Sequence, residues 1–172
     1  MPETRLKIKV FGDPVLRKKA KPVKRITAQH REILSLMAQS MYEGAGIGLA
    51  APQVGISEQL IVADTGEGLY KLVNPKVIKK QGSQAIQEGC LSVPGICIKV
   101  KRARQVWVEA LDENSCPVKL AAKDLFACVL QHEIDHLKGK LIIDYASLLE
   151  KMRVKRKLTA LEESNKTCKL WL

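Results

Sequence analysis

The sequence predicts an α+β fold in which mainly antiparallel β-sheet packs around a central helix, with a further helix towards each end. Short β-type runs, separated by turn residues, fill the middle of the chain from Gln59 to about Leu120. Helical periodicity occurs on both sides of that stretch, and strands and helices do not alternate as they do in a parallel sheet. The 172 residues (1–172) have the length of one domain, and no repeat or linker divides them.

Composition places the chain among ordinary globular proteins, since 46% of the residues are hydrophobic and 27% are charged. No apolar run approaches the roughly 20 residues that cross a bilayer. The first residues lack the apolar core of a signal peptide. The five cysteines are odd in number and widely spaced, which argues against a disulfide framework. We therefore expect a cytoplasmic protein with no membrane association.

The first helix is predicted to begin after Thr27, a suitable N-cap, and to end near Glu43 with Gly44 as its stop. Its apolar residues fall three and four apart on one face: Ile33, Leu34, Met37 and Met41. Residues 6–10 alternate in polarity upstream of it and predict a half-buried strand. Later strands are expected at 60–63, 72–73, 96–100 and 106–108.

Two more helices are predicted in the second half of the chain. The hydrophobic residues of 123–138 recur with helical spacing, and Gly139 ends the predicted helix. One face of this helix carries Leu125, Val129, His132 and His136. The last helix is expected over about 147–163. Its residues available for docking on the body of the protein are Leu148, Met152, Leu158 and Leu161.

The strongest chemical signal lies on the second of these helices. His132 and His136 are spaced i, i+4, so their imidazoles project to one side and can share a metal ion. Glu133, next to the first histidine, is placed to act as a general base on a water held there. A catalytic site of this type needs a third protein ligand. Glu150 follows His136 at a spacing unlike that of the usual HExxH proteases, and Cys90, which follows Gly89, is the other candidate.

Three segments together resemble the peptide deformylases. They are Gly46-Ile-Gly-Leu-Ala-Ala-Pro-Gln53, Glu88-Gly-Cys-Leu-Ser92 and His132-Glu-Ile-Asp-His136, and their order and separations fit that family. The resemblance runs from about Lys9 to Asp144. It implies a hydrolase that removes the formyl group from the formyl-methionine of nascent polypeptides and releases formate.

The resemblance also implies a role for individual positions. Cys90, His132 and His136 match the metal ligands, and Glu133 matches the general base and acid. Gln53 and the backbone N–H of Leu91 match groups that bind the formyl oxygen, and the backbone of Gly48 matches a group that pairs with the peptide. The pocket for the methionine side chain would be lined by Ile47, Ile86, Leu125 and Val129. Glu88 and Arg102 resemble an internal ion pair that braces the Cys90 strand.

The chemistry of the ligand set and the family resemblance predict different metal ions. A Cys/His₂ set suits Zn²⁺, whereas the resemblance implies one Fe²⁺ ion natively, with Ni²⁺ or Co²⁺ as replacements. Two positions depart from the family pattern. Asp124 replaces a usual glycine and could cap the metal-site helix, and Cys97 replaces an arginine that contacts the substrate backbone. Preference beyond formyl-methionine is therefore not predicted.

The net charge of +11 suggests a polyanionic partner. No sequence-specific nucleic-acid motif accompanies the basic groups. The predicted last helix is basic in its first half, and the resemblance implies contact with the ribosome through it. The residues concerned are Lys151, Arg153, Lys155, Arg156 and Lys157. Three other functions stay open at this point: an HExxH peptidase, a non-enzymatic metal- or RNA-binding protein, and a hydrolase that uses Cys90 as nucleophile.

Overall fold

The computed structural model describes residues 6–169. Three α-helices lie in this part of the chain: α1 (Ala28–Glu43), α2 (Asp124–Leu137) and α3 (Leu148–Lys169). Its β-strands are β1 (Gly48–Ala50), β2 (Leu60–Ala63), β3 (Tyr70–Gln81), β4 (Gln84–Glu88), β5 (Ile98–Arg102), β6 (Gln105–Leu111) and β7 (Pro117–Lys123). Short 3₁₀ helices cover Pro14–Arg17, Ala51–Val54 and Ile142–Tyr145.

The strands form two antiparallel sheets. One has five strands in the order β1-β2-β3-β6-β7, and the other pairs β4 with β5. The connections from β2 to β3 and from β6 to β7 are short, and antiparallel pairing is the geometry that such connections allow. The predicted α+β class with mainly antiparallel sheet is confirmed.

Helix α1 follows the prediction closely. The Thr27 N–H donates to His30 Nδ1 at 3.0 Å, which satisfies one donor at the start of the helix. Leu34, Met37 and Met41 are fully buried against β1 and β2, and the Gly44 N–H closes the helix by donating to the Ser40 carbonyl. The predicted apolar face therefore supplies one of the hydrophobic clusters of the core.

Helix α2 is central because it is apolar on most of its circumference. Its buried residues that pack on the five-stranded sheet are Ala127, Leu130, Ile134 and Leu137, against Ile61, Leu72, Val106 and Val108. The stripe with His132 and His136 points instead towards β4 and the turn after it, as the contact of His132 with Glu88 indicates. The helix thus holds its polar side chains against a rigid apolar support.

Two predicted strands need correction. Residues 6–10 form no strand, since the Lys9 N–H donates to the Gln53 carbonyl and the Phe11 N–H to the Ser92 carbonyl, both at 2.7 Å. One acceptor lies in the 3₁₀ helix Ala51–Val54 and the other in the turn after β4, so no ladder with a single partner strand can form. The strand expected at 96–100 begins at Ile98, because a turn at Gly95 with φ of 73° delays it.

The predicted last helix exists, and two of its four expected docking residues, Leu158 and Leu161, pack on the body. Val154, Leu158 and Leu161 pack on a cluster that contains Leu16, Val93 and Ile98. Leu148 and Met152, which were expected to dock, are 78% and 66% exposed. The docked residues are spaced four and three apart, and their stripe begins at Val154 instead of at Leu148. No helix within 6–169 is long and apolar enough to cross a membrane.

A buried ion-pair network joins the small sheet to α2. Arg102 on β5 donates from Nε and one terminal nitrogen to both oxygens of Glu88 on β4, at 2.8 and 2.9 Å. Its other terminal nitrogen pairs with Asp135 on α2, which also accepts a hydrogen bond from the Tyr145 hydroxyl. The side chains of Arg102 and Glu88 are only 4% and 5% exposed. The predicted Glu88–Arg102 pair is confirmed.

We predict that Arg102→Met will destabilise the protein strongly, because it leaves two carboxylates without their buried partner. The expected loss of unfolding free energy is about 3–5 kcal/mol, measured by urea denaturation. Arg104→Met is the matched control, since Arg104 pairs with Asp124 at the surface and exposed pairs contribute little. Equal denaturation midpoints for the two variants would show that the network carries no special stability.

Candidate active site

A cavity of about 430 Å³ opens between β1, β4 with the turn that follows it, and α2. It gathers residues from all three sequence segments that carried the resemblance. The predicted residues that line it are Ile47, Gly48, Gln53, Ile86, Cys90, Leu91, Leu125, Val129, His132 and Glu133. His136 is buried and lies next to His132 and Cys90. The structure therefore brings all the predicted site residues together.

Cys90, His132 and His136 present one ligand atom each to a common point. His132 Nε2 lies 3.1 Å from His136 Nε2, which lies 3.3 Å from Cys90 Sγ. All three atoms are within 4.8 Å of one another. The arrangement arises because the histidines are one helical turn apart and the turn after β4 places the thiol opposite them.

This group fits a metal ion on its own geometry. Tetrahedral nitrogen ligands at about 2.0–2.1 Å and a sulfur ligand at about 2.3 Å from an ion are about 3.3–3.6 Å apart. The observed separations of 3.1 and 3.3 Å are close to those values. Burial holds the pKa of His136 well below its ordinary value, which favours the neutral imidazole that a metal requires.

Glu88 sets the orientation of the first imidazole. Its Oε2 lies 3.0 Å from His132 Nδ1 while both of its oxygens accept from Arg102. Burial raises the pKa of Glu88, but the hydrogen bonds from Arg102 and His132 outweigh it and leave the pKa below the ordinary value. An ionised carboxylate can only accept, so the neutral imidazole of His132 has its proton on Nδ1 and its Nε2 lone pair directed at the common point. Burial lowers the pKa of His132, but the hydrogen bonds with Cys90 and Glu88 outweigh burial and raise the pKa, so a bound cation would have to displace a proton from Nε2.

Glu133 lies in a tight, dry position beside this group. Burial raises the pKa of its carboxyl to about 7, and among residues 6–169 its Oε2 has no hydrogen-bond partner. The backbone of Gly48 packs directly on it, because a Cβ built on Gly48 would collide with the Glu133 carboxylate and the Val129 side chain. The glycine of the first motif is therefore needed for close approach.

Gln53 is held with its amide nitrogen towards the cavity. Its Oε1 accepts from the Ala50 N–H at 2.8 Å, and its Nε2 donates to Ser92 Oγ at 3.2 Å and lies 3.5 Å from Cys90 Sγ. Leu91 belongs to the turn that the Val93 N–H closes on the Cys90 carbonyl. A fixed amide donor and a turn backbone thus border the same space as the Cys/His/His group.

The apolar part of the cavity has a deep wall and an exposed rim. Val129 is buried, whereas Ile47 and Leu125 are 42% and 50% exposed at the mouth. Cys128 is buried and lines the same cavity, and we did not predict it. Its position one residue before Val129 on a predicted helix was an available signal, but a lone buried cysteine is normally read as core.

The two departures from the family pattern have structural consequences. Asp124 does not cap α2, which corrects our expectation: Lys123 is the N-cap, and the Asp124 carboxylate pairs with Arg104. Asp124 has φ of 50°, a left-handed conformation that explains why glycine suits this position. Cys97 is exposed, and its sulfur is 3.9 Å from where a Cβ on Gly89 would lie, so it borders the turn that leads to Cys90.

Comparison with known proteins gives one answer. Residues 5–152 match the family model described as polypeptide deformylase. A peptide deformylase of Halothermothrix orenii is 50% identical over 141 residues, covering 81% of this chain and 92% of that protein. The peptide deformylase of Hamiltonella defensa is 42% identical over 163 residues, covering 93% and 95% of the two chains.

Solved structures agree with these sequence matches. A crystal structure of a peptide deformylase from Legionella pneumophila superposes with a TM-score of 0.87 at 39% identity, covering 94% of this chain and 98% of that one. One from Synechococcus elongatus, in complex with actinonin, has a TM-score of 0.86 at 43% identity and covers 91% and 88%. The fold, the site and the family model coincide, and the chain therefore belongs to the peptide deformylase family of hydrolases.

Proposed function

We propose that this chain removes the N-formyl group from formyl-methionyl ends of nascent polypeptides by hydrolysis, with release of formate. The observation that carries the proposal is the convergence of Cys90, His132 and His136 beside the buried carboxylate of Glu133, at a cavity with an apolar wall. Membership of the family supports the reaction class. The roles given to individual residues are part of the proposal.

In this proposal Cys90, His132 and His136 hold one divalent metal ion. An ion bound there would supply Lewis acidity, which would make a water molecule acidic enough to ionise near neutral pH. Glu88 contributes by keeping the lone pair of His132 Nε2 directed at the ligand point. Arg102 contributes indirectly, since it keeps Glu88 ionised in a buried place.

Glu133 carries the proton. It accepts the proton of the attacking water and delivers it to the amine of methionine as the C–N bond breaks, so the site ends in its starting state. Its burial and its contact with Gly48 hold the carboxylate in one position for both transfers. Proton transfer by a positioned group of this kind contributes about 10²–10⁴-fold to a rate.

Gln53 and the Leu91 N–H stabilise the oxygen of the formyl group as it gains negative charge. The Gln53 amide suits this role because its hydrogen bond with Ala50 fixes which end of the amide faces the cavity. A preorganised donor of this kind contributes about 10²–10³-fold. The peptide lies along Gly48 at the free edge of β1, and its first side chain enters the pocket of Ile47, Ile86, Leu125 and Val129.

We expect Glu133→Ala to keep the metal and lose about 10²–10⁴-fold in turnover of a formyl-methionyl peptide. The three ligands stay in place in this variant, while the proton carrier is gone. Formate release and metal content are measured on the same samples. Glu67→Ala is the control, because Glu67 is an exposed carboxylate outside the cavity.

Three outcomes would count against the proposal. More than about a tenth of wild-type activity in Glu133→Ala would remove Glu133 from proton transfer. Cleavage of an unblocked peptide at an internal bond, without formate release from the formylated one, would favour an HExxH peptidase. Activity that survives full removal of the metal by a chelator would favour Cys90 as a nucleophile.

We propose Fe²⁺ as the native ion. The thiolate of Cys90 and two imidazoles also suit Zn²⁺, Ni²⁺ and Co²⁺. Fe²⁺ beside a thiolate is sensitive to dioxygen, so the iron form is expected to lose activity in air while the nickel form retains it. The two forms have the same exposed Cys97, and the comparison therefore isolates oxidation at the metal centre. Equal lifetimes in air would contradict the proposal.

We also propose that α3 meets the ribosome, a polyanion, through its basic first half. Lys151, Arg153, Lys155 and Arg156 are exposed there, and they lie on a helix that Val154 and Leu158 anchor to the body. Lys157 is different, because its Nζ donates to the Gly95 carbonyl at 3.1 Å. Contacts of such cations with phosphates weaken steeply as salt rises.

Neutral replacement of the four exposed residues is expected to abolish co-sedimentation with ribosomes at low salt and to leave turnover of a short formyl peptide nearly unchanged. Lys157 is kept, since its loss would disturb the loop at Gly95. The charge-matched control neutralises four exposed cations elsewhere: Lys18, Lys19, Lys24 and Arg25. Ribosome binding that is equal in the two variants would leave α3 with a structural role only.

A further inference from the structure

Gln84 links the two walls of the cavity at the end far from the metal ligands. It lies at the start of β4, and its Nε2 donates to the Asp124 carbonyl at 2.9 Å. The same nitrogen lies 3.2 Å from the sulfur of Cys128, which lines the cavity. Both partners belong to the first turns of α2, on the opposite wall. Gln84 does not itself line the cavity, so it can act on a bound molecule only through these neighbours.

A second link between the same elements lies at the other end of β4. There Glu88 contacts His132, 3.0 Å apart. Four residues of strand, from Gln84 to Glu88, span about 13 Å. Eight residues of helix, from Asp124 to His132, span about 12 Å. The two links are thus nearly equally spaced along both elements, and they join the two ends of β4 to the first turn and the middle of α2.

The pocket for the first side chain lies between these links. Ile86 is on the strand wall midway between Gln84 and Glu88, and Leu125 and Val129 are on the helix wall. The ladder of β4 is made with β5. The two residues that follow β5 also bind α2: both backbone groups of Ala103 pair with the Gln131 amide, and the Arg104 carbonyl accepts from the Asp124 N–H. From β4 itself, the link to α2 at this end is the side chain of Gln84.

The conformation of Asp124 gives the link a second effect. Asp124 has a left-handed φ of 50°, which L side chains adopt at a cost, and it directly precedes the exposed rim residue Leu125. The hydrogen bond from Gln84 holds the Asp124 carbonyl, while the Asp124 N–H donates to the Arg104 carbonyl, and together they fix the start of α2. The rim at Leu125 is consequently fixed relative to Ile86.

We propose that Gln84 is a positioning residue that sets the width of this pocket and so determines which first side chain is accepted. The inference rests on the proposed function. With the link in place, the pocket fits an unbranched side chain such as that of methionine. Without it, the walls separate, and broader side chains such as phenylalanine enter more easily.

The test is Gln84→Met, which keeps the length of the side chain and removes its N–H donors. Gln81→Met is the matched control, since Gln81 is an exposed residue at the end of β3 that does not line the cavity. The holoenzymes are assayed on formyl peptides that differ only in the first residue, methionine, leucine or phenylalanine. Far-UV circular dichroism and thermal melting verify folding.

Gln84→Met is expected to lower the methionine-to-phenylalanine ratio of kcat/KM by about 3- to 10-fold, the effect of losing one hydrogen bond. The change should come from a lower KM for the phenylalanine peptide, with kcat for the methionine peptide within about twofold of wild type. Gln81→Met should keep the wild-type ratio. A role in stability alone would lower the melting temperature without moving the ratio.

Gln84→Glu is the second variant, because it has the shape of glutamine but cannot donate to the Asp124 carbonyl, and it should move the ratio in the same direction. Wild-type ratios in both folded variants would overturn the inference. That result is distinct from failure of the proposed function, which would appear as wild-type enzyme that releases no formate from the methionine peptide.

Discussion

The buried ion pair of Glu88 and Arg102 is the interaction on which the arrangement of the site depends. Glu88 must stay ionised to accept from His132, and it can do so in a dry place only because Arg102 satisfies both of its oxygens. Arg102 in turn reaches Asp135 on α2, so one guanidinium joins two strands and a helix. Buried pairs of this kind seldom stabilise a fold more than apolar residues would. Here the ion pair serves to orient the imidazole of His132.

Helix α2 has a supporting face that packs on the sheet and a separate face that carries the metal-site histidines. Ala127, Leu130 and Ile134 press on the five-stranded sheet and immobilise the backbone. The opposite stripe can then hold His132 and His136 a fraction of an ångström from the separations that an ion needs. Rigid elements position such groups better than loops do. The thiol, which comes from a turn, is steadied by the neighbouring hydrogen bonds of Gln53 and Ser92.

Much of the fold and site was predictable because the informative signals are local. The period of α1 and α2, the capping residue Thr27, and the i, i+4 histidines all act within one element. The failures required tertiary information. Residues 6–10 alternate like a strand but find no single partner, and Leu148 precedes the part of α3 that meets the body. The left-handed Asp124 and the contacts of Gln84 with α2 follow from the approach of distant segments, which periodicity does not describe.

The extended segment at Lys9 and Phe11 illustrates a constraint that side chains do not reveal. Its backbone binds the 3₁₀ helix of Gln53 and the turn of Ser92, the two segments that carry the donors facing the cavity. The main chain of this segment therefore holds the two parts of the site together, and most residue types can provide the required N–H groups. Proline is the exception, because it has no N–H to donate. Sequence variation would thus make this stretch look dispensable, although it fixes the spacing of two parts of the site that are far apart in the chain.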